Sequence, residues 1–221
     1  MNYDTLLKIS DGLGAFVERV GKIGSFFILP LVFVTMWDVF FRKIGGLQVW
    51  LIERFGSVFE STVLQEYEWH FHTALFTLVL GYGFISNRHV RVDLLYQNWS
   101  FRKQAIIEFV GVSLFLIPYC LIVGWFATDY AIKSFMIGEK SASTVGLSYR
   151  WIIKSTLPIG LYVAALAGIA VWLQSLIVLL APKDKRFPLM TLVWPEEQER
   201  KKRIHSDAKA AKMAARAAAK A

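Results

Sequence analysis

The run Ser155-Thr-Leu-Pro-Ile-Gly-Leu-Tyr-Val-Ala-Ala-Leu-Ala-Gly-Ile-Ala-Val-Trp-Leu-Gln-Ser-Leu-Ile-Val-Leu-Leu-Ala181 carries no formal charge. A helix crosses roughly 30 Å of hydrocarbon with about 20 mainly apolar residues, so this run is long enough to span a bilayer. Three more runs have that character: Ile23–Phe41, Phe71–Ser86 and Phe109–Thr128. The first carries only Asp38, near its far end, and the third none. The second is short between charges, and Glu68 and Asn87 are placed at its two interfaces. These readings make the chain an all-α membrane protein of four transmembrane helices plus interfacial amphipathic segments, with spans at about 23–41, 68–86, 106–128 and 155–181.

Composition agrees, with 55% hydrophobic residues and a mean hydropathy of +0.44. Four spans in 221 residues leave no stretch able to bury an independent core of ordinary size, which argues against a soluble catalytic domain and against an enzyme. The single cysteine, Cys120, falls inside the third span, so an intrachain disulfide is excluded. The first span lacks a short basic leader and a small-residue cleavage pattern, and is expected to be retained.

Lys and Arg set the expected orientation. Lys8, Arg19 and Lys22, the second loop with Arg88, Arg91, Arg102 and Lys103, and a basic tail place eighteen on one side. Arg42, Lys43, Arg54, Lys133, Lys140, Arg150 and Lys154 place seven on the other. The positive-inside rule puts both termini in the cytoplasm. Trp37, Trp69, Trp125 and Trp151 then fall near the outer interface and Trp99 near the inner one, where indoles are favoured. Trp172, inside the last span, is expected to be a packing residue.

Residues 1–22 show apolar positions near helical spacing (Leu6, Ile9, Leu13, Phe16, Val17, Val20) and predict a cytoplasmic amphipathic approach. It either lies flat on the membrane or extends the first span inward. Between Arg42 and Gln65 an interfacial helix is expected, starting near Gly45-Gly46. Pro118 should bend the third helix or free a carbonyl. Residues 182–221 form a basic tail, Ala/Lys-rich from Asp207, expected to be solvated and partly helical, or drawn to anionic headgroups.

Chemistry-bearing constellations are few. In Glu66-Tyr67-Glu68-Trp69-His70-Phe71-His72, Glu66/His70 and Glu68/His72 are i,i+4 pairs on two different faces, which is a polar collar rather than a metal site. His70 and His89 lie roughly 28 Å apart along a helix axis, and no other span offers a histidine, so haem is not expected, nor any other cofactor. The midplane lacks the ionisable residues that translocation sites use. The run His89-Val90-Arg91-Val92-Asp93, following Gly81-Tyr82-Gly83, looks like a pinned loop, with glycines that allow close helix approach.

Glu68, Gly81 and the His89-Val90-Arg91-Val92-Asp93 element together resemble the small membrane subunit of tripartite ATP-independent periplasmic (TRAP) transporters. Gly146-Leu147-Ser148-Tyr149-Arg150-Trp151, with Lys154 and Pro158-Ile159-Gly160, resembles one branch of that family, as do Glu139 and Ser141. The resemblance covers about residues 23–180; the long first loop and the Ala/Lys-rich tail depart from it. It implies a small permease subunit in the bacterial inner membrane that scaffolds a large membrane subunit. The subunit would help dock a periplasmic solute-binding protein for organic-acid uptake, with sodium coupling in the large partner. The partners implied are those two proteins and membrane lipids, and no nucleic acid. Glu68 and Trp69 are the expected outer anchors, His89, Arg91 and Asp93 the inner pin, Gly81 a packing position, and Arg150 and Trp151 part of the outer surface. The competing reading is an autonomous small homo-oligomeric transporter or channel, and a third is a membrane anchor for a redox enzyme.

Overall fold

The computed structural model describes residues 3–88, 99–182, 186–200 and 203–204, and no strand occurs among them. The helices are α1 (Tyr3–Ser25), α2 (Ile28–Lys43), α3 (Gly45–Phe55), α4 (Ser61–Ile85), α5 (Phe101–Gly111), α6 (Ile117–Met136) and α7 (Trp151–Leu180). Three helical stretches are long and apolar enough to cross a membrane: Tyr3–Lys43, Phe101–Met136 and Trp151–Leu180. Among the described residues α4 is not one of them; Glu66, Glu68, His70 and His72 occupy its first half.

Prolines explain the two interruptions. Between α1 and α2 the ladder breaks at Phe26-Phe27, and the Pro30 ring would collide with the carbonyl four residues back, that of Phe26. Pro30 itself sits in the first turn of α2, where a missing N–H is tolerated. Between α5 and α6 the chain stays helical, but Val112–Leu116 is a π-helical turn in which the Ile117 N–H donates to the Val112 carbonyl. Pro118 has no N–H for the carbonyl of Leu114, so the turn just before it widens. Trp172 uses this irregularity. Its Nε1 donates to Ser113 Oγ at 2.7 Å and its ring stacks on Phe109 at 5.2 Å.

The core is built on α7, which packs against α1, α4, α5 and α6. Its buried positions are mostly small: Gly160, Val163, Ala164, Ala165, Ala167, Gly168 and Ala170. Lipid tails are as apolar as leucine, so helices in a bilayer associate through close backbone approach rather than by burying large side chains. At Gly160 a Cβ would stand 2.3 Å from the Thr77 carbonyl oxygen, and at Gly81 one would stand 3.1 Å from that of Val163. Only glycine lets α4 and α7 cross this closely.

The N-terminal segment packs as part of the bundle, running into the first span. One face of α1, Ser10, Gly14, Val17, Gly21 and Gly24, is buried, and Ser10 Oγ donates to the Ala170 carbonyl at 2.9 Å. Ile9 and Phe16, large residues of the apolar pattern, are about half exposed. The buried stripe is therefore the small-residue face. The helix expected near Gly45 forms, as α3, held back on the chain where Gln48 Nε2 donates to the Phe59 carbonyl at 3.3 Å.

Beyond α7 the expected solvated tail does not begin at 182. Phe187, Thr191 and Leu192 are buried, and Gln174, buried in α7, holds this segment from both sides of its amide. Its Oε1 accepts from the Met190 N–H at 2.9 Å, and its Nε2 donates to the Pro188 carbonyl at 3.5 Å. Trp194 Nε1 donates to the Phe187 carbonyl at 2.9 Å, and the Trp194 ring meets Phe101 of α5 at 4.8 Å. Buried amides demand partners, and Gln174 finds them here.

Candidate functional site

The most organised polar cluster lies where the α6–α7 loop folds over the start of α4. Three hydrogen bonds finish α6. The Ile137 N–H donates to the Lys133 carbonyl at 3.1 Å, that of Gly138 to Phe135 at 3.0 Å, and that of Glu139 to Ser134 at 3.0 Å. The last two form a Schellman cap, which needs a left-handed residue, and Gly138 has φ 57°. The loop then crosses itself. The Ser141 N–H donates to the Leu147 carbonyl at 3.1 Å and the Arg150 N–H to the Glu139 carbonyl at 3.3 Å.

Glu66, from α4, ties this loop down. One carboxylate oxygen accepts from Ser141 Oγ and the other from the Leu147 N–H at 2.6 Å. Gly146 leaves room for this arrangement, since a Cβ there would lie 2.3 Å from Ser141 Oγ and 2.8 Å from Glu66 Oε1. Burial alone pushes the Glu66 carboxyl up. The bonds from Ser141 and Leu147, with the positive charge of Arg150 and the nearby His70 ring, outweigh burial and hold it below the ordinary glutamate range. Lys154, in the first turn of α7, pairs with Glu139 and lies 4.0 Å from the centre of the Tyr130 ring. The hydrogen bond from Lys154 is the main reason the Glu139 carboxyl is held low.

A second carboxylate, this one buried, supports the same end of the bundle. Asp38, 1% exposed, accepts from Ser61 Oγ at 2.7 Å and pairs with Arg42 one turn along α2. Ser61 is the first residue of α4, so the Asp38 charge sits against the positive end of that helix. It is the sole buried residue of α2.

Glu139, Ser141, Gly146, Arg150 and Lys154 are thus brought together, and Glu66 rather than Glu68 is the residue that joins them. Glu68 is half-buried on another face of α4, and Trp69 is 75% exposed. Arg150 precedes α7, and Trp151 packs edge-on against Phe135 at 5.1 Å. Gly81 lies at the meeting of α1, α4 and α7, where a Cβ would be 3.2 Å from Val17 and 3.3 Å from Ala164. His89, Arg91 and Asp93 lie outside the described residues. In the sequence Glu66 stands out only as an i,i+4 partner of His70, whose Nδ1 lies 2.6 Å from the Glu66 backbone carbonyl. The signal for its larger role was Gly146 beside an oxygen-donor loop, which becomes informative only once α4 and the loop are adjacent. Among the described residues no group of three His, Cys, Asp or Glu side chains is placed to hold a metal ion.

The cluster binds one part of the chain to another and presents no reacting constellation. Residues 31–177 match the family model for tripartite ATP-independent periplasmic transporters, DctQ component. Comparisons with curated proteins and with solved structures gave no match. The match spans well over half of the chain and contains α3, α4, α5, α6, the α6–α7 loop and most of α2 and α7: the chain belongs to the DctQ family, the small membrane subunit of TRAP transporters.

Proposed function

We propose that the chain acts as a static brace for a larger transport subunit in the bacterial inner membrane, with α4 completing four crossings and both termini cytoplasmic. In this reading the solute path and its sodium sites belong to the large subunit, the solute is an organic acid, and no cofactor takes part. The α6–α7 loop faces the periplasm and contributes to the surface on which the solute-binding protein docks. The observation that carries the reading is the interior of the bundle. From Ser155 to Leu180, α7 carries no charged side chain, and its buried face is packed against neighbouring helices, with glycines and alanines between Leu161, Val163, Val171, Leu173 and Ile177. A translocation site needs ionisable groups or a broken helix at mid-depth, whereas a brace needs packed faces and fixed ends.

Fixed ends are what Glu66 and Asp38 provide. They lock the loop and α2 onto the start of α4, so the surface offered to a docking protein is preorganised. Around the locked loop, Met136, Ile137, Tyr149 and Trp69 are exposed and supply apolar contact area.

Affinity purification of a tagged chain from its native membrane tests this reading. The expected result is recovery of a large polytopic protein at equal stoichiometry. Replacing Arg91 and Asp93 together with Ala should lower both that recovery and uptake. A chain that purifies alone from cells with active uptake overturns the assignment.

A further inference from the structure

A groove of about 450 Å³ opens where the start of α5, the end of α7 and the segment from Arg186 to Pro195 meet. Its floor and walls are apolar: Val178 and Leu179 of α7, Phe101 of α5, and Phe187 and Trp194 of the returning segment. Its rim is basic. Arg102 lines it, Lys103 follows, and both are exposed. Arg186 also lines it but is already engaged, 3.0 Å from Glu196 and 4.5 Å over the Trp194 ring.

The start of α5 breaks the usual charge rule for a helix. Acidic residues are favoured in a first turn and basic ones disfavoured, because the unsatisfied N–H groups there carry partial positive charge. Here the first turn has no acidic residue, holds Arg102 and Lys103, and the Ser100 side chain makes no capping bond. Among the described residues no acidic side chain pairs with either cation. Such a local conflict is expected where a ligand resolves it.

We infer that this groove binds an anionic glycerophospholipid, its phosphate at Arg102, Lys103 and the first N–H groups of α5, and an acyl chain against Val178, Leu179 and Phe101. Two observations select this occupant. The site lies at the end of an apolar helix of 30 residues, level with a headgroup region, and it joins an apolar trough to a cationic rim, as a charged amphiphile requires. The segment that closes it runs from Arg186 to Pro195, outside the part of the chain that matches the family model. The inference rests on the membrane-spanning reading of α7 and is independent of the bracing role.

Native mass spectrometry of the full chain, delipidated in detergent and titrated with phosphatidylglycerol or phosphatidylcholine, tests it. With each basic residue worth about a few-fold in affinity for an anionic surface, phosphatidylglycerol should be retained on the order of tenfold more tightly. The double variant Arg102→Gln, Lys103→Gln should lose that preference, and Lys133→Gln, Lys140→Gln should keep it. Circular dichroism and gel filtration check that the variants fold; if the first does not, Val178→Trp, which fills the trough, replaces it and should lower retention of the lipid. Equal retention of both lipids overturns the inference. So does displacement of the lipid by millimolar inorganic phosphate, which would mark a site for a soluble anion. An unchanged preference in the Arg102/Lys103 variant overturns it as well.

Discussion

Two helices of this chain, α7 and α2, both lie in stretches apolar enough to cross a membrane, yet they are used in opposite ways. In the most apolar stretch of α7, 61% of residues are buried within the bundle, against 11% in the stretch that includes α2. The buried face of α7 carries Gly160, Ala164, Ala165, Ala167, Gly168 and Ala170 among Leu161, Val163, Val171, Leu173 and Ile177; α2 turns Ile28, Leu29, Val32, Phe33, Met36, Val39 and Phe40 outward and buries only Asp38. In a bilayer a large apolar side chain gains nothing by leaving lipid for protein, so interior positions go to residues that let backbones meet. A charged group gains a great deal from a partner, so the one acid goes inside.

If α7 and α2 are used so differently, substitutions should separate them, and the strongest response belongs at α7. Gly160→Val places a branched side chain where even a Cβ would be 2.3 Å from the Thr77 carbonyl. Overpacking of this kind costs about 3 kcal/mol or more when backbone is the obstacle. The expected result is loss of monodisperse protein or a sharp fall in the thermal midpoint in detergent. A variant as stable as the wild type would show that α4 and α7 do not cross as described. Next comes Asp38→Ala, which removes the only buried anchor of α2 and leaves Ser61 without its acceptor. A loss of about 1–3 kcal/mol is expected, readable as a lowered midpoint, and Asp38→Asn should recover part of it.

Acid should loosen the opposite partner of this arrangement, the α6–α7 loop. The folded Glu66 carboxyl titrates below its unfolded value. Its contribution is therefore complete above the ordinary glutamate range, near pH 4.3, and is lost as pH falls through the lowered folded value. Hydrogen exchange at the Leu147 amide should accelerate over that window, and Glu66→Gln should remove the pH dependence at a stability loss of about 1 kcal/mol. The smallest effect is expected from Phe33→Leu on the outer face of α2. The isolated chain should change by no more than about 0.5 kcal/mol, and a larger change would mean that α2 is packed inside the chain after all.

How much of this was legible in the sequence follows from the same contrast. Hydrophobic runs place helices well, and the long helices ending near Lys43, Met136 and Leu180 follow the apolar stretches. They do not say which face is inside. The pattern at Leu6, Ile9, Leu13, Phe16, Val17 and Val20 points to a helix, and Val17 is buried in the core with Val20 against it. Ile9 and Phe16, however, are about half exposed, and the rest of the packed stripe is Ser10, Gly14, Gly21 and Gly24, positions that a search for large apolar residues passes over. Pro118 correctly marked an irregular turn, and Trp172 a packing position. Gln174 gave no warning that residues 186–194 would return to satisfy it, since a lone polar residue in an apolar run names no partner. The loop motif was legible as a motif through Glu139, Ser141, Gly146 and Lys154. Its keystone, Glu66, lies about 75 residues away in the chain and gains meaning only through α4.

Reconstitution into liposomes, with organic-acid uptake followed under an imposed sodium gradient, separates a brace from a transporter. The purified chain alone should give no uptake, and adding the large subunit and the binding protein should restore it. Sodium-driven uptake by the chain alone would contradict the account.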